Sequence, residues 1–264
     1  MDWLHAIAGL FVGVMVGMTG VGGGSLMAPM LILLFGVAPT TAVGTDLWFA
    51  AITKAVGGFV HHRHGGDHGG PDYEVIRRLC IGSLPAAVVV LLLLSQLDTH
   101  QIKSGLIMTA LGVVLIMTAI ATLMRSRFHN WALNARTDTA QGFLRYQAGL
   151  TIAAGAMLGV MVTLTSVGAG ALGATLLLAL YPLRMRLQRL VATDIVHAVP
   201  LTLVAGIGHL FIGNFNLMLL LNLLVGSIPG IVIGSLLASR VSEKILQPLL
   251  AAVLIFAGWR LIAA

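Results

Sequence analysis

Residues 9–29 read GLFVGVMVGMTGVGGGSLMAP, residues 155–175 read GAMLGVMVTLTSVGAGALGAT, and eleven of the 21 aligned positions are identical. Both stretches are apolar except for a run of small residues at the centre. Glycine costs about 1 kcal/mol per residue in a helix interior relative to alanine, so the three successive glycines at 22–24 predict a broken helix. The same break at a spacing of 146 residues predicts a chain made of two copies of one unit, a feature of many transporters.

The likeness continues on both sides of the break. AVGTD (42–46) aligns with LVATD (190–194), Gly58 and His61 with Gly206 and His209, and GSLP (82–85) with GSIP (226–229). The two units run from 1 to 124 and from 147 to 264, joined by a polar linker at 125–146. Of the 264 residues, 58% are hydrophobic and 9% charged, and the mean hydropathy is +0.99. Soluble domains carry roughly 25% charged residues. Runs such as 75–97, 106–124 and 217–237 are long enough for a hydrocarbon layer of ~30 Å. The expected fold class is therefore an all-α polytopic membrane protein embedded in a lipid bilayer. The opening MDWLHAIAGLF has neither a basic leader nor a small-residue cleavage site, so it is not read as a signal peptide. A lone cysteine, Cys80, excludes an intrachain disulfide and a cysteine-based metal cluster. The net charge of +6 sits in short loops without a basic face, which argues against a nucleic-acid partner. No cofactor motif is present, and a homo-oligomer is compatible with the pattern.

Hydrophobic segments fall near 3–36, 39–61, 74–97 and 103–124, then 147–181, 189–212, 215–239 and 244–263. If the first segment of each unit crosses the bilayer once, the loop cations divide without bias. If it returns to its own side, or crosses twice, at the glycine break, twelve Lys and Arg share one face and only Lys103 and Arg260 lie on the other. Cytoplasmic loops carry such an excess. The units are therefore expected to be inverted, with both termini outside.

Residues 4–19 and 24–36 are about 24 and 20 Å long as helix, each short for a full span. The expected arrangement is a helical hairpin dipping into the membrane, plus three transmembrane helices, in each unit. Non-helical backbone at that depth must be buried in protein or line a cavity. Two opposed helix N-termini would offer unpaired N–H groups and partial positive charge to a small anion. The candidate substrate-binding residues are Thr19, Gly22, Gly23, Gly24, Ser25 and Thr45 in the first unit. Their counterparts are Thr165, Ser166, Gly168, Ala169, Gly170 and Thr193. The competing reading is that the glycines only let helices pack closely. A phosphate loop does not fit, because no strand precedes the glycines and no GK[ST] follows.

The pattern GVGGGSLMAPMLILLFGVAPTTAVGTDLWFAAITKAVGGFVHHRHG and its weaker copy resemble the sulfite exporter TauE/SafE family of bacterial inner-membrane permeases over nearly the whole chain, which implies that the outer termini are periplasmic. The resemblance implies a transporter of small sulfur-containing anions such as sulfite, thiosulfate or an organosulfonate, usually directed outward. Asp46 and Asp194, where a small polar residue is expected after the threonine, depart from it and put simple anion uniport in doubt.

An intramembrane carboxylate is a functional candidate. Lys54 lies two turns beyond Asp46, and His197 one turn beyond Asp194. Either the two aspartates carry protons, with Lys54 and His197 tuning them, or they accept hydrogen bonds from the glycine-rich backbone and hold the hairpins. An anion beside an ionised carboxylate is repelled, which favours proton coupling. HHRHGGDHGG (61–70) reads as a basic interfacial loop rather than a metal site, because its glycines fix no ligand geometry. Pro85, Pro200 and Pro229 mark either kinks or packing features. The rival functions are an anion channel, a membrane scaffold subunit and, more remotely, an intramembrane aspartyl protease. The last requires two carboxylates close enough to share a proton. The expectation is of a transporter, not an enzyme.

Overall fold

The computed structural model describes residues 3–19, 24–64, 70–97, 100–137, 140–182, 187–237 and 243–263. Among these the chain is helical throughout and contains no strand. The helices are α1 (Trp3–Thr19), α2 (Gly24–Leu33), α3 (Pro39–His64), α4 (Tyr73–Gln96) and α5 (His100–Thr137), followed by α6 (Ala140–Thr165), α7 (Ala171–Leu180), α8 (Leu187–Phe211), α9 (Leu217–Leu237) and α10 (Glu243–Ile262). Five carry apolar stretches long enough to cross a membrane: Tyr73–Gln96, Ser104–Met124, Arg145–Thr165, Arg189–Phe211 and Leu217–Gly234. The polar stretch after residue 124 is helical for most of its length, because α5 continues to Thr137 and α6 begins at Ala140.

The helices break where the glycines cluster. α2 and α7 have ten residues each, about 15 Å of helix, and cannot cross a ~30 Å layer. Each doubles back on the helix before it. The rings of His5 on α1 and Phe35, just after α2, stack with centroids 4.5 Å apart. In the second unit Gln147 Nε2 on α6 donates to the Leu180 carbonyl at 2.7 Å, and Thr151 Oγ1 lies 2.8 Å from the Tyr181 hydroxyl. Both pairs are hairpins whose ends meet.

Glycines on the helix flanks set the packing of these hairpins. α1 lies along α9 with Gly9 against the Leu223 carbonyl and Gly13 against Ser227; from the other side Gly226, Gly230 and Gly234 press on Ala6, Leu10 and Val14. Partners advance together along both helices, so the pair is parallel. α6 lies along α4 in the same manner, with Gly82, Gly155 and Gly159 against Ile152, Leu79 and Ser83. In both pairs the backbones approach so closely that there is no room for a Cβ, which is the small-residue packing of membrane helices.

Counterpart helices run in opposite directions where they touch. On α3 and α8, Gly44 faces His209 and Trp48 Nε1 donates to the Gly206 carbonyl at 3.0 Å. On α5 and α10, Gly112 packs on Ile262 and Gly258, while Ile116 packs on Gly258. One end of the bundle holds Arg77, Arg78, Arg145 and Arg189 together with the open ends of α6 and α7. The other end holds Trp3, Phe35 and the start of α9. We call these the basic end and the opposite end.

The bundle is apolar outside and polar within. Leu92, Leu93, Leu236, Phe256 and Trp259 are more than half exposed, whereas Asp46, Lys54, Ser83, Asp194, His197 and His209 are buried. A soluble protein has the reverse arrangement. A lipid-facing surface explains the exposed belt, and the buried polar groups need partners inside. Pro85, Pro200 and Pro229 lie inside α4, α8 and α9.

Candidate functional site

The second glycine break is fully described. α6 ends at Thr165, and residues 166–170 form a loop in which Ser166, Gly168 and Gly170 have φ of 60°, 121° and 132°. A non-glycine residue in that region is strained, and Ser166 bears the strain beside the polar core. Thr165 organises the loop: its hydroxyl donates to the Met161 carbonyl at 2.6 Å and accepts from Val167 N at 3.1 Å. Gly170 caps α7 without help from any described side chain. In the first unit Gly22 and Gly23 lie outside the described residues. Gly24 opens α2 and Ser25 is half-buried; the side chain of Thr19 is outside the described set.

Lys54 draws these parts together. It extends from α3 and donates its Nζ to the Ala169 carbonyl at 2.8 Å, in the tip of the other unit's hairpin. Its ammonium feels the charges of both Asp194 and Asp46. Asp46 is fully buried and points toward the Ser166 hydroxyl and the Ala28 amide of α2. Neither of its oxygens reaches hydrogen-bond geometry with any described group. Asp194 presses its carboxylate against Gly173 in the first turn of α7, so closely that a Cβ there would overlap Oδ1. His197 Nε2 lies 2.9 Å from Ser83 Oγ on α4, and His197 also faces Lys54.

The four residues expected to act in coupling, Asp46, Lys54, Asp194 and His197, thus share one buried cluster with Ser166 and Ala169. Three polar groups in it make no hydrogen bond of ordinary geometry to a described residue, the Asp46 carboxyl, Ser166 Oγ and His197 Nδ1, although the first two face each other. Buried polar groups are ordinarily satisfied, so such a concentration points to a place that water or a ligand fills.

Other residues are placed differently. Thr45 Oγ1 accepts from Asn216 N at 3.2 Å, and Thr193 Oγ1 accepts from Asp72 N at 2.9 Å while donating to the Arg189 carbonyl. Asn216 Oδ1 and Asp72 Oδ1 in turn accept from Leu219 N and Val75 N at the starts of α9 and α4. The two threonines therefore brace helix caps. His209 is fully buried, with Nε2 2.9 Å from the Thr163 carbonyl of α6. The side chain of His61 and most of the run 61–70 lie outside the described residues.

Two features escaped the sequence reading. Ser83 stands in the duplicated GS-P motif, which marks it as part of the repeat, yet its bond to His197 joins α4 to α8 and is visible only in three dimensions. The spacings Gly9–Gly13, Gly155–Gly159 and Gly226–Gly230–Gly234 were legible as helix-packing signals but were overshadowed by the triple glycine. The site also departs from the repeat. In the register that pairs Asp46 with Asp194, Lys54 pairs with Thr202 and His197 with Phe49. Two carboxylates are duplicated, and the cation is not.

A model of the family described as sulfite exporter TauE/SafE matches residues 5–261. The chain is 38% identical over 263 residues to the probable membrane transporter protein YjnA of Bacillus subtilis, covering 97% of this chain and 98% of that one. It is 25% identical over 239 residues to the probable membrane transporter protein YdhB of the same organism, covering 89% of each. No solved structure matches the chain. A match that takes in both hairpins, the Lys54 cluster and all but the extreme ends of the chain places this protein among the membrane transporters of the TauE/SafE sulfite exporter family.

Proposed function

We propose that the chain carries a small sulfur-containing anion, such as sulfite, thiosulfate or an organosulfonate, outward across a bacterial inner membrane, and that Asp46 and Asp194 exchange protons as it does so. The observation that carries this reading is Lys54, a buried cation reaching from one unit into the hairpin tip of the other, with Asp46, Asp194, Ser166 and His197 around it. Antiparallel counterpart helices and hairpins opening at opposite ends support two inverted repeats around that point. The arginines gathered at one end support a cytoplasmic basic end and periplasmic termini.

The chemistry follows from charge. Lys54 is the attraction for an anion, and the first turn of α7 adds partial positive charge. Asp194 occupies that turn, so the chain's own carboxylate stands where a substrate would gain most. Two like unit charges about 6 Å apart repel by about 3 kcal/mol at an effective dielectric of about 20. An anion that joins Lys54 while both aspartates are ionised meets that cost from each. Protonation of the carboxylates removes the repulsion and frees Lys54 and the α7 terminus for the substrate. Release reverses the exchange. Ser166, Ser83 and His197 supply donors for the anion's oxygens.

The test is flux in reconstituted vesicles, with sulfite, thiosulfate and sulfonates tried singly, with and without an imposed pH gradient. Saturable flux that the gradient drives supports the proposal. Flux of none of these anions, or flux indifferent to the gradient, removes the substrate class or the coupling respectively.

A further inference from the structure

The two ends of the bundle are built from the same repeated positions and are dressed differently. In the repeat register Thr151 corresponds to His5, Tyr181 to Phe35, Glu74 to Met218 and Arg78 to Asn222. At the basic end the first set is bonded together. The Tyr181 hydroxyl, 1% exposed, lies 2.8 Å from Thr151 Oγ1 and accepts from Arg78 Nη1 at 3.3 Å, and Arg78 pairs with Glu74. Beside them Arg189 Nη2 stands 3.6 Å from Asp72 Oδ2, next to the Asp72–Thr193 bond. These contacts tie α4, α6, α7 and α8.

At the opposite end all four counterparts, His5, Phe35, Met218 and Asn222, line a wide-open cavity of about 940 Å³, and Asn216 shares the lining. Asn216 N donates to the hydroxyl of Thr45, the residue before Asp46. This end keeps the His5–Phe35 stack in place of Thr151–Tyr181 and the Asn216–Thr45 bond in place of Asp72–Thr193, but its phenylalanine, asparagine and methionine cannot form the Arg78–Tyr181 and Arg78–Glu74 contacts.

We infer that the Tyr181–Thr151–Arg78–Glu74 contacts, with Arg189–Asp72 beside them, are the closed gate of the conformation seen here, and that the cavity at the opposite end is its open vestibule. The inference rests on the inverted-repeat reading and is independent of which anion is carried. Half-exposed ion pairs are weak singly, which suits a contact that has to break in every cycle. Because the Arg78–Tyr181 and Arg189–Asp72 contacts have no counterpart among the described residues of the other end, the resting transporter favours exposure of the site toward the end that bears Trp3.

The experiment is single-cysteine labelling in a Cys80→Ala background with a membrane-impermeant thiol reagent added from either side. Asn222→Cys lines the vestibule and is expected to react from the side of the termini. Ala174→Cys, 4% exposed and about 10 Å inward of Tyr181 along α7, reports on the gate. It is expected to be protected in the parent and to react at least tenfold faster from the basic side once Tyr181→Phe and Arg78→Gln are added. Tyr181→Phe alone removes one oxygen and reads the gate if the double variant fails to fold, with a smaller acceleration expected. An Asn222→Cys that is inert from both sides overturns the vestibule, and an Ala174→Cys unchanged by the clamp substitutions overturns the gate. An Asn222→Cys that reacts only from the basic side overturns the inverted-repeat reading beneath both.

Discussion

Gly226→Ala is expected to destabilise the protein even though alanine is the better helix former. At Gly226 an added Cβ would overlap the Ala6 carbonyl oxygen and lie 2.7 Å from Leu10 N and 2.8 Å from the Ala6 carbonyl carbon. The obstacles are backbone atoms, which cannot rotate away. The Ala6 carbonyl oxygen is the nearest obstacle, at 1.8 Å, so restoring ordinary contact near 3.4 Å moves α1 and α9 apart by about 1.6 Å along a seam that four other glycines hold closed. Overpacking of this kind costs about 1–3 kcal/mol, and the gain from removing a helical glycine offsets about 0.5–1 kcal/mol of it. The net loss is about 1–2 kcal/mol, or about 4 °C in Tm for a chain of this size. Gly149→Ala is the control, because nothing lies within 4 Å of its added Cβ. There the same substitution is expected to stabilise by about 0.4–1 kcal/mol. Thermal unfolding of the purified variants in one detergent compares the two directly. If Gly226→Ala melts at or above Gly149→Ala, the seam is not as tight as described and the reasoning fails.

Three further outcomes follow from the site. Asp46→Asn and Asp194→Asn keep shape and most hydrogen-bonding capacity but cannot titrate, so each is expected to fold, to retain exchange and to lose accumulation driven by a pH gradient; gradient-driven transport unchanged in the double variant would falsify proton exchange at these residues. Gly168→Val is expected to lower stability as well as transport by about 1–3 kcal/mol of backbone strain, because φ there is 121° and a branched side chain is disfavoured; wild-type melting of that variant would contradict the loop geometry. Ser83→Ala is expected to weaken substrate binding severalfold and shift the pH profile through His197, while Ser227→Ala, its repeat counterpart, leaves the profile unchanged. Equal profiles in the two serine variants would remove Ser83 from the site.

Much of the architecture was legible because membrane helices announce themselves by length and hydropathy, and because the chain repeats itself. The end of α1 at Thr19, the start of α2 at Gly24, the break at 166–170, and helix starts such as Pro39 and Tyr73, fall where glycine, proline and polar residues interrupt apolar runs. The cluster was legible only in part. Asp46 and Asp194 stood out as carboxylates in apolar surroundings, but same-helix spacing suggested that Lys54 serves Asp46 alone. In three dimensions its Nζ crosses to Ala169 and feels Asp194 as well, a contact that one helix's periodicity does not encode. Thr45 and Thr193 were drawn toward the substrate by their neighbours in sequence. Their hydroxyls instead meet the caps of α9 and α4, because those helix starts pack beside them. His209 ends a helix in sequence yet is buried against Thr163, since α6 covers that end of α8.

The central claim is that the two units share one anion site and that Lys54 is its cation. Equilibrium binding of radiolabelled sulfite or thiosulfate to the purified protein in detergent, wild type against Lys54→Met, tests it most directly. One anion is expected to bind per chain, with affinity falling at least a hundredfold in Lys54→Met while the variant remains folded by thermal unfolding. Binding that survives intact in Lys54→Met, or two equivalent anions per chain, would contradict it.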